Sequence, residues 1–352
     1  MQMVTEWRHN VGQKKAVKLG DIAEELGVSI VSVSNALKGK KGVREELRLE
    51  ILRKAEEMGY EMPEVSVKKE EVSSGRIGVV IAERYVKEYP SFYMDVYKQV
   101  AQAAVRQGNL TVLEIIDASR EKLEQRFGLF SDIEIQGIIV IGEMNPEFIR
   151  QIKGNIAVPV VCTDFYQSDG DMDYIVSDSF RGMGLLTQKL IDAGHKDIAF
   201  VGSPRVTNSI MDRYMGYCKA LKANGLRENR DWLIPDRRED GYGYVIDFEL
   251  PEKLPTAFVC NCDKCAGILI DKLRRKGIRV PEDISVVGFD HSYSSAEGGL
   301  SLTTYENDEK ALAQISVNTL MRRIRKNRRP EGIRIVEGKV IEGSTVAVRK
   351  ER

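Results

Sequence analysis

LGDIAEELGVSIVSVSNALKGKKGV, residues 19–43, has the pattern of two short helices joined by a tight turn. Ile22 belongs to the inner face of the first helix, and Gly27 permits the positive φ that such a turn requires. Ser29 can cap the second helix, whose inner face includes Val33. In a helix-turn-helix, the N-terminal part of the second helix enters the major groove of DNA. The stretch therefore predicts an all-α, DNA-binding head.

The outward positions of the second helix carry side chains that suit DNA. Asn35 can form paired hydrogen bonds with an adenine edge, and Ile30 or Val31 can contact a thymine methyl group. Hydroxyl and ammonium groups around them can bind phosphates. An ordinary helical hairpin with a solvated lysine loop is the alternative. The candidate DNA-binding residues are Ser29, Ile30, Val31, Ser32, Ser34, Asn35, Lys38, Lys40 and Lys41.

From residue 77 onward, short β-branched runs alternate with amphipathic helix patterns. Strands that are apolar on both faces and separated by helices indicate parallel sheets covered by helices. There are more runs than one modest sheet holds, so two α/β lobes are predicted. The predicted strands are 77–82, 110–116, 137–142, 158–165, 173–178, 197–202, 256–260 and 284–289. The helix patterns include one around residues 120–130.

Composition limits the class of protein. A chain of 352 residues suggests two or three domains, and 53 basic residues against 53 acidic ones exclude a uniformly basic coat for nucleic acid. No apolar run is long enough to span a bilayer. The polar N-terminus does not have the pattern of a secretory signal, and five cysteines fit a reducing compartment, so a cytoplasmic protein is expected.

Specific motifs in the head resemble those of a known family. DIA at 21–23, GVS at 27–29, SVS at 32–34 and GY at 59–60, with a third helix over 43–58, resemble the head of the lactose-repressor/galactose-repressor (LacI/GalR) family of bacterial transcription factors. The resemblance continues through nearly the whole body. It implies a repressor that acts as a homodimer on a near-palindromic operator in double-stranded DNA. It also implies control by a small-molecule effector, a mono- or oligosaccharide.

The family resemblance also implies a fold for the body: two α/β lobes like those of the periplasmic sugar-binding proteins, with parallel sheets, three crossovers and a cleft between the lobes. The predicted domains are a head at 16–60, a hinge or linker at 61–76 and an effector-binding and dimerisation domain at 77–349. Lobe 1 is expected at about 77–193 plus 308–333, and lobe 2 at about 194–304 plus 334–349. The linker lacks the Ala-Arg-x-Leu segment of the family, so an apolar wedge for the minor groove is not expected there.

Several polar and aromatic side chains follow predicted strands, and in open α/β sheets ligands bind beyond the carboxyl ends of the strands. Arg213 and Asp290 can act as a fork and a carboxylate for vicinal hydroxyl groups. Asp164 and Asp178 can instead cap helices or turns. The candidate effector-binding residues are Ser91, Phe92, Tyr93, Asp164, Asp178, Arg213, Tyr242, Asn261, Asp263 and Asp290.

Three cysteines form a C-x-C-x-x-C pattern at 260–265. A structural metal site needs a fourth ligand, for which His291 is the one plausible histidine. Buried thiols at the end of a strand are the simpler interpretation, so no metal and no cofactor are predicted.

A basic run at 321–330 can be a second DNA contact or, more simply, the solvated end of an amphipathic helix with Leu320 and Ile324 facing inward. No catalytic motif of comparable strength is found, so the chain is expected not to be an enzyme. The rival functions are a sugar-binding protein without a DNA role and a sugar-processing enzyme.

Overall fold

The computed structural model describes residues 17–37, 43–58, 60, 75–87, 92–125, 127–130, 133–167, 172–238, 245, 247–292, 299–326 and 329–349. The chain separates into two compact units, Met1–Val72 and Ser73–Arg352. The division falls within the predicted linker, of which only residues 75 and 76 are described. None of the described helices is both long enough and apolar enough to cross a membrane.

The first unit contains three helices, α1 at Leu19–Glu25, α2 at Ile30–Leu37 and α3 at Glu45–Glu57. Their inward side chains form one small core in which Ile22, Val33 and Ile51 are completely buried. The turn between α1 and α2 contains Gly27 with φ of 63°. These elements confirm the predicted all-α helix-turn-helix head.

Two polar contacts fix the ends of α2. The Ser32 backbone N–H donates to the Ser29 hydroxyl oxygen at 3.1 Å, as predicted for an N-terminal cap. At the other end, Arg48 of α3 donates from Nη1 to the Ala36 carbonyl oxygen at 3.1 Å. A guanidinium group at the C-terminal end of a helix satisfies carbonyl groups that lack a partner within the helix. Helix α2 is therefore held at both ends.

The second unit is an alternation of strands and helices. Its strands are β1 Arg76–Ala82, β2 Leu110–Ile116, β3 Gly137–Ile141, β4 Val160–Thr163, β5 Asp173–Ser177, β6 Ile198–Val201, β7 Leu233–Ile234, β8 Ala257–Cys260, β9 Ser285–Val287, β10 Thr304–Glu306, β11 Ile333–Val336 and β12 Lys339–Ile341. Its helices are α4 Glu83–Val86, α5 Phe92–Val105, α6 Ala118–Glu121, α7 Pro146–Asn155, α8 Ser179–Asp192, α9 Asn208–Ala223, α10 Asp263–Arg275 and α11 Glu309–Lys326.

Lobe 1 contains a six-stranded sheet in the order β11-β5-β4-β3-β1-β2, and every neighbouring pair is parallel. Helices α5 and α11 cover one face through Val100 and Leu320, and α7 covers the other through Phe148. Burial of both faces explains why these strands are apolar throughout.

Lobe 2 contains a parallel four-stranded sheet in the order β7-β6-β8-β9. Helices α8 and α9 cover one face, where Leu186 and Tyr217 join Phe200 in the core. Helix α10 covers the other face through Leu269. A short antiparallel pair, β10 and β12, adds Tyr305 to the same core as α8. The two parallel sheets confirm the predicted α/β body.

The chain crosses between the lobes three times, between β5 and α8, between β10 and α11, and between β11 and β12. Two crossings differ from the predicted lobe boundaries. Helix α8 packs in the core of lobe 2, so the first crossing lies near residue 178 and not near 193. Strand β11 pairs with β5, so lobe 1 extends to residue 336 and not to 333. An amphipathic pattern gives the inward face of a helix but does not identify the sheet on which it packs.

The helix predicted around residues 120–130 is wrong in extent. Helix α6 spans only Ala118–Glu121. Leu123 and Phe130 have φ of 60° and 52°, which a continuing helix cannot accommodate. The Glu114 carboxylate accepts a hydrogen bond from the Phe130 backbone N–H at 2.7 Å and holds the loop instead.

The packing of α8 against α9 leaves no space for a side chain at Gly216, where an added Cβ would overlap the Phe180 carbonyl oxygen. We expect Gly216→Ala to lower the free energy of unfolding by about 1–3 kcal/mol, because the helices must separate. Urea unfolding measures the change. Gly154→Ala, on α7, is the matched control. No atom lies within 4 Å of a Cβ added at Gly154, so alanine should be neutral or stabilising at this position. Equal unfolding curves for both variants would contradict the prediction.

Candidate DNA-binding and effector sites

The structure places the predicted DNA-binding residues of α2 on its outer side. Ile30 and Val31 are 55% and 67% exposed, whereas Val33 and Ala36 of the same helix are buried. Ser29 is exposed, and Ser32, Ser34 and Asn35 are half-buried beside them. Exposed β-branched side chains at the start of a small helix are free to contact base edges, so the assignment to DNA stays a prediction with favourable geometry. Lys38, Lys40 and Lys41 lie outside the described residues.

In the body, Arg213 lies at the centre of a polar cluster at the carboxyl ends of the strands. Its side chain is buried, and Nη2 donates to Asp290 Oδ1 at 2.9 Å. Nη1 donates to the Asn261 carbonyl oxygen at 2.7 Å, and the guanidinium carbon lies 4.0 Å from the centre of the Phe289 ring. Arg213 thus connects α9 with the segments that follow β8 and β9. Arg213 and Asp290, both predicted for the effector site, form an ion pair with each other in the structure.

Asp164 and Tyr93 belong to the same cluster. The Ser177 hydroxyl donates to Asp164 Oδ1 at 3.0 Å, across the ends of β4 and β5. Burial raises the pKa of Asp164 to about 6, and the positive charge of Arg213 opposes this rise. Burial also raises the pKa of Tyr93. The negative charges of Asp164 and Asp290 raise this pKa further, and the positive charge of Arg213 lowers it. The structure therefore brings four of the predicted residues together.

The backbone of this cluster is strained. Asp164 has φ of 66° and Asp290 has φ of 97°, in the region of positive φ that residues other than glycine rarely adopt. Such conformations persist where the surrounding structure fixes them, and they concentrate at ligand sites. Two aspartates of the predicted effector site share this property.

The raised pKa of Asp164 predicts how stability depends on pH. The folded state retains a proton that the unfolded chain releases between about pH 4 and pH 6, so stability falls as the pH rises through this range. We expect the ionisation of Asp164 to lower the free energy of unfolding by about 2–3 kcal/mol by pH 6. Urea unfolding between pH 4 and pH 7 should show that Asp164→Asn removes this part of the slope. Asp231→Asn, at an exposed position, serves as the control, and equal slopes for Asp164→Asn and the unmodified protein would contradict the assignment.

Other predicted effector residues have structural contacts. Asp178 Oδ1 accepts a hydrogen bond from the Arg181 backbone N–H at 3.2 Å, which is the helix cap that remained the alternative for this residue. The Asp263 carboxylate is buried and accepts from the Thr304 hydroxyl at 2.6 Å. Phe92 packs edge-on against Tyr93, with ring centres 5.3 Å apart.

Three further predicted residues are placed differently or not described. The side-chain amide of Asn261 donates to Asp236, and only its backbone carbonyl contacts the arginine of the cluster. Ser91 and Tyr242 lie outside the described residues.

Several residues of the cluster were not predicted. Asn307 donates to Asp290 Oδ1 at 3.0 Å, and Ser179 accepts from Arg213 Nε at 3.4 Å. Ser177 is the last residue of β5 and Asn307 directly follows β10, so position at a strand end was an available signal. A cavity of about 600 Å³ lies along the crossover segments 306–310 and 337–339 and shares Asp290 and Asn307 with the cluster.

Hydrogen bonds join the lobes across the cleft. The Asn208 backbone N–H, at the start of α9, donates to Glu143 Oε2 at 2.6 Å, and the Tyr166 hydroxyl donates to Asp212 Oδ1 at 3.1 Å. Burial raises the pKa of Glu143 to about 7. The two lobes are therefore in direct polar contact.

The basic run, as far as Lys326, is the end of the amphipathic helix α11, as the simpler interpretation predicted. Leu320 is completely buried, and Ile324 packs against the same core. Arg323 forms an ion pair with Asp173 at 2.6 Å, and Arg322 with Glu331 at 2.7 Å. These arginines serve the fold of lobe 1, which leaves the second DNA contact without support.

The sequence is similar to characterised proteins. Residues 187–346 match a family model described as a periplasmic binding protein-like domain. The chain is 29% identical over 309 residues to the HTH-type transcriptional repressor PurR of Glaesserella parasuis serovar 5 (strain SH0165), covering 87% of this chain and 90% of the relative. It is 28% identical over 320 residues to the PurR repressor of Pasteurella multocida (strain Pm70), covering 90% and 94%.

The fold is similar to solved structures. A complex of the transcriptional regulator CelR with cellobiose has a TM-score of 0.66 and 21% identity, covering 94% of this chain and 99% of the other. The lac repressor dimer bound to operator and the anti-inducer ONPF has a TM-score of 0.61 and 22% identity, covering 95% and 100%. A LacI family transcriptional regulator from Enterococcus faecium with bound ribose has a TM-score of 0.64 and 22% identity, covering 78% and 100%.

Proposed function

We propose that the chain is a bacterial transcription repressor of the LacI/GalR family, whose affinity for its operator is set by a small polyhydroxylated ligand in the cleft. Its relatives are named transcriptional repressors, which agrees with the expectation of a regulator and not an enzyme. The ligand class that we propose follows from the residues of the cleft.

The observation that carries the ligand class is the arrangement of charge around Arg213. One guanidinium fork stands beside two aspartates, Asp164 and Asp290, whose backbone is held in the left-handed region. Carboxylates accept hydrogen bonds from hydroxyl groups and a guanidinium group donates to them, so vicinal hydroxyls fit both. The Tyr93 ring adds an apolar face for C–H groups. A monosaccharide or short oligosaccharide combines these properties.

The ligand would act by changing the relation between the lobes. The bonds from Asn208 to Glu143 and from Tyr166 to Asp212 exist only while the lobes are close. A ligand that contacts both lobes favours this arrangement by its difference in affinity between the closed and open forms. Regulation requires that this difference be coupled to operator affinity.

The proposed repressor is a homodimer. A single helix-turn-helix reads one half-site, and a two-fold dimer matches the symmetry of a near-palindromic operator. Sedimentation velocity at micromolar concentration should give a species of twice the chain mass. A protein that is monomeric in solution and binds a palindromic operator as a single chain would contradict this part of the proposal.

A ligand screen tests the cleft. Thermal unfolding of the purified protein is followed with mono- and disaccharides, and with planar nitrogen heterocycles as the competing class. A ligand at 100 times its dissociation constant adds about 2.7 kcal/mol to the stability of the folded state. Stabilisation by a saccharide that is lost in Asp290→Asn supports the proposal. Stabilisation by heterocycles alone overturns the sugar assignment.

A DNA-binding assay tests the head. Operator sequences are selected from random duplexes and affinities are measured by fluorescence anisotropy. Asn35→Ala should weaken specific binding by about 1–3 kcal/mol, since one bidentate base contact is lost, and leave non-specific binding unchanged. Asn155→Ala, at an exposed position of α7, is the control. No preference of the unmodified protein for selected over random DNA would overturn the regulator proposal.

A further inference from the structure

A cluster of potential ligands lies in lobe 2 outside the set of residues assigned to the effector. Cys262 immediately precedes α10, Cys265 lies one turn further along it, and Asp236 follows β7. One ligand atom from each of the three lies within 4.8 Å of those from the other two. All three residues are buried, Asp236 and Cys265 completely. Two thiols and a carboxylate therefore lie close together in the interior, near the carboxyl ends of β7 and β8.

The carboxylate of this cluster is only half satisfied. Oδ2 of Asp236 accepts hydrogen bonds from the Cys265 thiol, at 2.9 Å, from Arg237 and from the Asn261 amide. Oδ1 of Asp236 is buried and has no hydrogen-bond partner among the described residues. Buried carboxylate oxygens are normally paired, so an orphan beside two thiols indicates a missing ligand.

The local charge also suits a cation. Two thiolates and one carboxylate carry three negative charges, and a divalent cation leaves one. Arg237, which donates to Asp236 and has Nη1 3.8 Å from Cys265 Sγ, supplies the balancing positive charge.

We propose that Asp236, Cys262 and Cys265 bind a borderline-soft divalent cation of the zinc class. Thiolate ligands select such ions over magnesium and calcium, and two cysteines separated by two other residues are a common spacing of zinc ligands. Three protein ligands leave a fourth position for water or another exogenous ligand. The carboxylate at Asp236 replaces the histidine that sequence reasoning sought in His291. The site does not depend on the proposed saccharide ligand or on DNA binding.

Metal binding is tested on the full-length, reduced protein after chelator treatment and removal of any affinity tag. Zn²⁺ is titrated and counted by elemental analysis, and Co²⁺ serves as the spectroscopic probe. We expect one equivalent per chain and a thiolate-to-cobalt charge-transfer band. Cys262→Ser and Cys265→Ser should each weaken binding at least about 100-fold, since outer partners alone are worth roughly 10- to 100-fold. Cys218→Ser, a buried cysteine on α9 outside the cluster, should bind as the unmodified protein does.

Asp236→Asn keeps the shape of the site and provides a second variant if a serine variant fails to fold. It should shift the cobalt spectrum and weaken Zn²⁺ binding while circular dichroism stays native. No stoichiometric metal in the reduced protein would overturn the proposal, as would unchanged cobalt spectra in all three variants. A Cys262–Cys265 disulfide that persists under reduction, seen as a loss of two hydrogens by mass spectrometry, would also overturn it.

Discussion

Arg213→Met should lower the free energy of unfolding of the body by about 3–5 kcal/mol and remove the stabilisation by the cleft ligand. Arg213 is only 5% exposed, and its guanidinium group forms an ion pair with Asp290. Its positive charge also favours the ionised form of Asp164. Removing it leaves two carboxylates in a buried site without compensation. Chemical denaturation at neutral pH measures the first effect, and thermal unfolding with the selected ligand measures the second.

A double variant separates lost charge balance from lost packing. Arg213→Met combined with Asp290→Asn removes both members of the pair and should recover part of the lost stability. Arg205→Met, at an exposed position, should change stability by less than about 0.5 kcal/mol. If Arg213→Met were as stable as the Arg205 variant, the pair would not be buried in solution as the structure describes it.

Val33→Asp should abolish specific DNA binding, with a loss of about 1,000-fold or more, which is the usual margin of specific over non-specific affinity. Val33 is completely buried in the core shared by α1, α2 and α3. A unit this small has little stability to spare, and a buried unpaired carboxylate exceeds it. Anisotropy with the selected operator measures the loss.

The body should be unaffected by this change, because the chain forms two compact units. Ligand-induced stabilisation of Val33→Asp should therefore equal that of the unmodified protein. Leu49→Asp places the same charge on an exposed position of α3 and should leave the head folded. Retention of operator binding by Val33→Asp would show that the head does not have the described core.

The fold was predictable where a pattern repeats. Each of the eight apolar runs predicted as strands, from 77–82 to 284–289, contains an observed strand, because burial on both faces requires continuous apolar sequence. Strands β7, β10, β11 and β12 were missed because none of them is a continuous apolar run of recognisable length: β7 has two residues, and the other three each contain a charged residue. The lobe to which α8 belongs was also missed, since its apolar face fits either sheet until the position of α9 is known.

The candidate sites were predictable to the same degree. Arg213 and Asp290 were both assigned to the effector site from sequence, and the structure joins them by a hydrogen bond. Asp178 and Asp263 have the right residue type at strand ends, yet their carboxylates point to a backbone amide and to Thr304. Position along the chain gives the edge of the sheet at which a side chain lies, whereas its direction depends on neighbours from distant segments.

The three crossovers have a consequence for how the protein is made. Strand β11 pairs with β5 through contacts such as Ile333 with Tyr174, and Arg323 reaches back to Asp173. The sheet that contains β1 therefore remains open along the β5 edge until residues 333–336 have been synthesised. Such long-range pairing slows folding and exposes an unpaired strand edge to aggregation. Loss of β11 should therefore impair the folding of lobe 1, which is synthesised first, more than that of lobe 2.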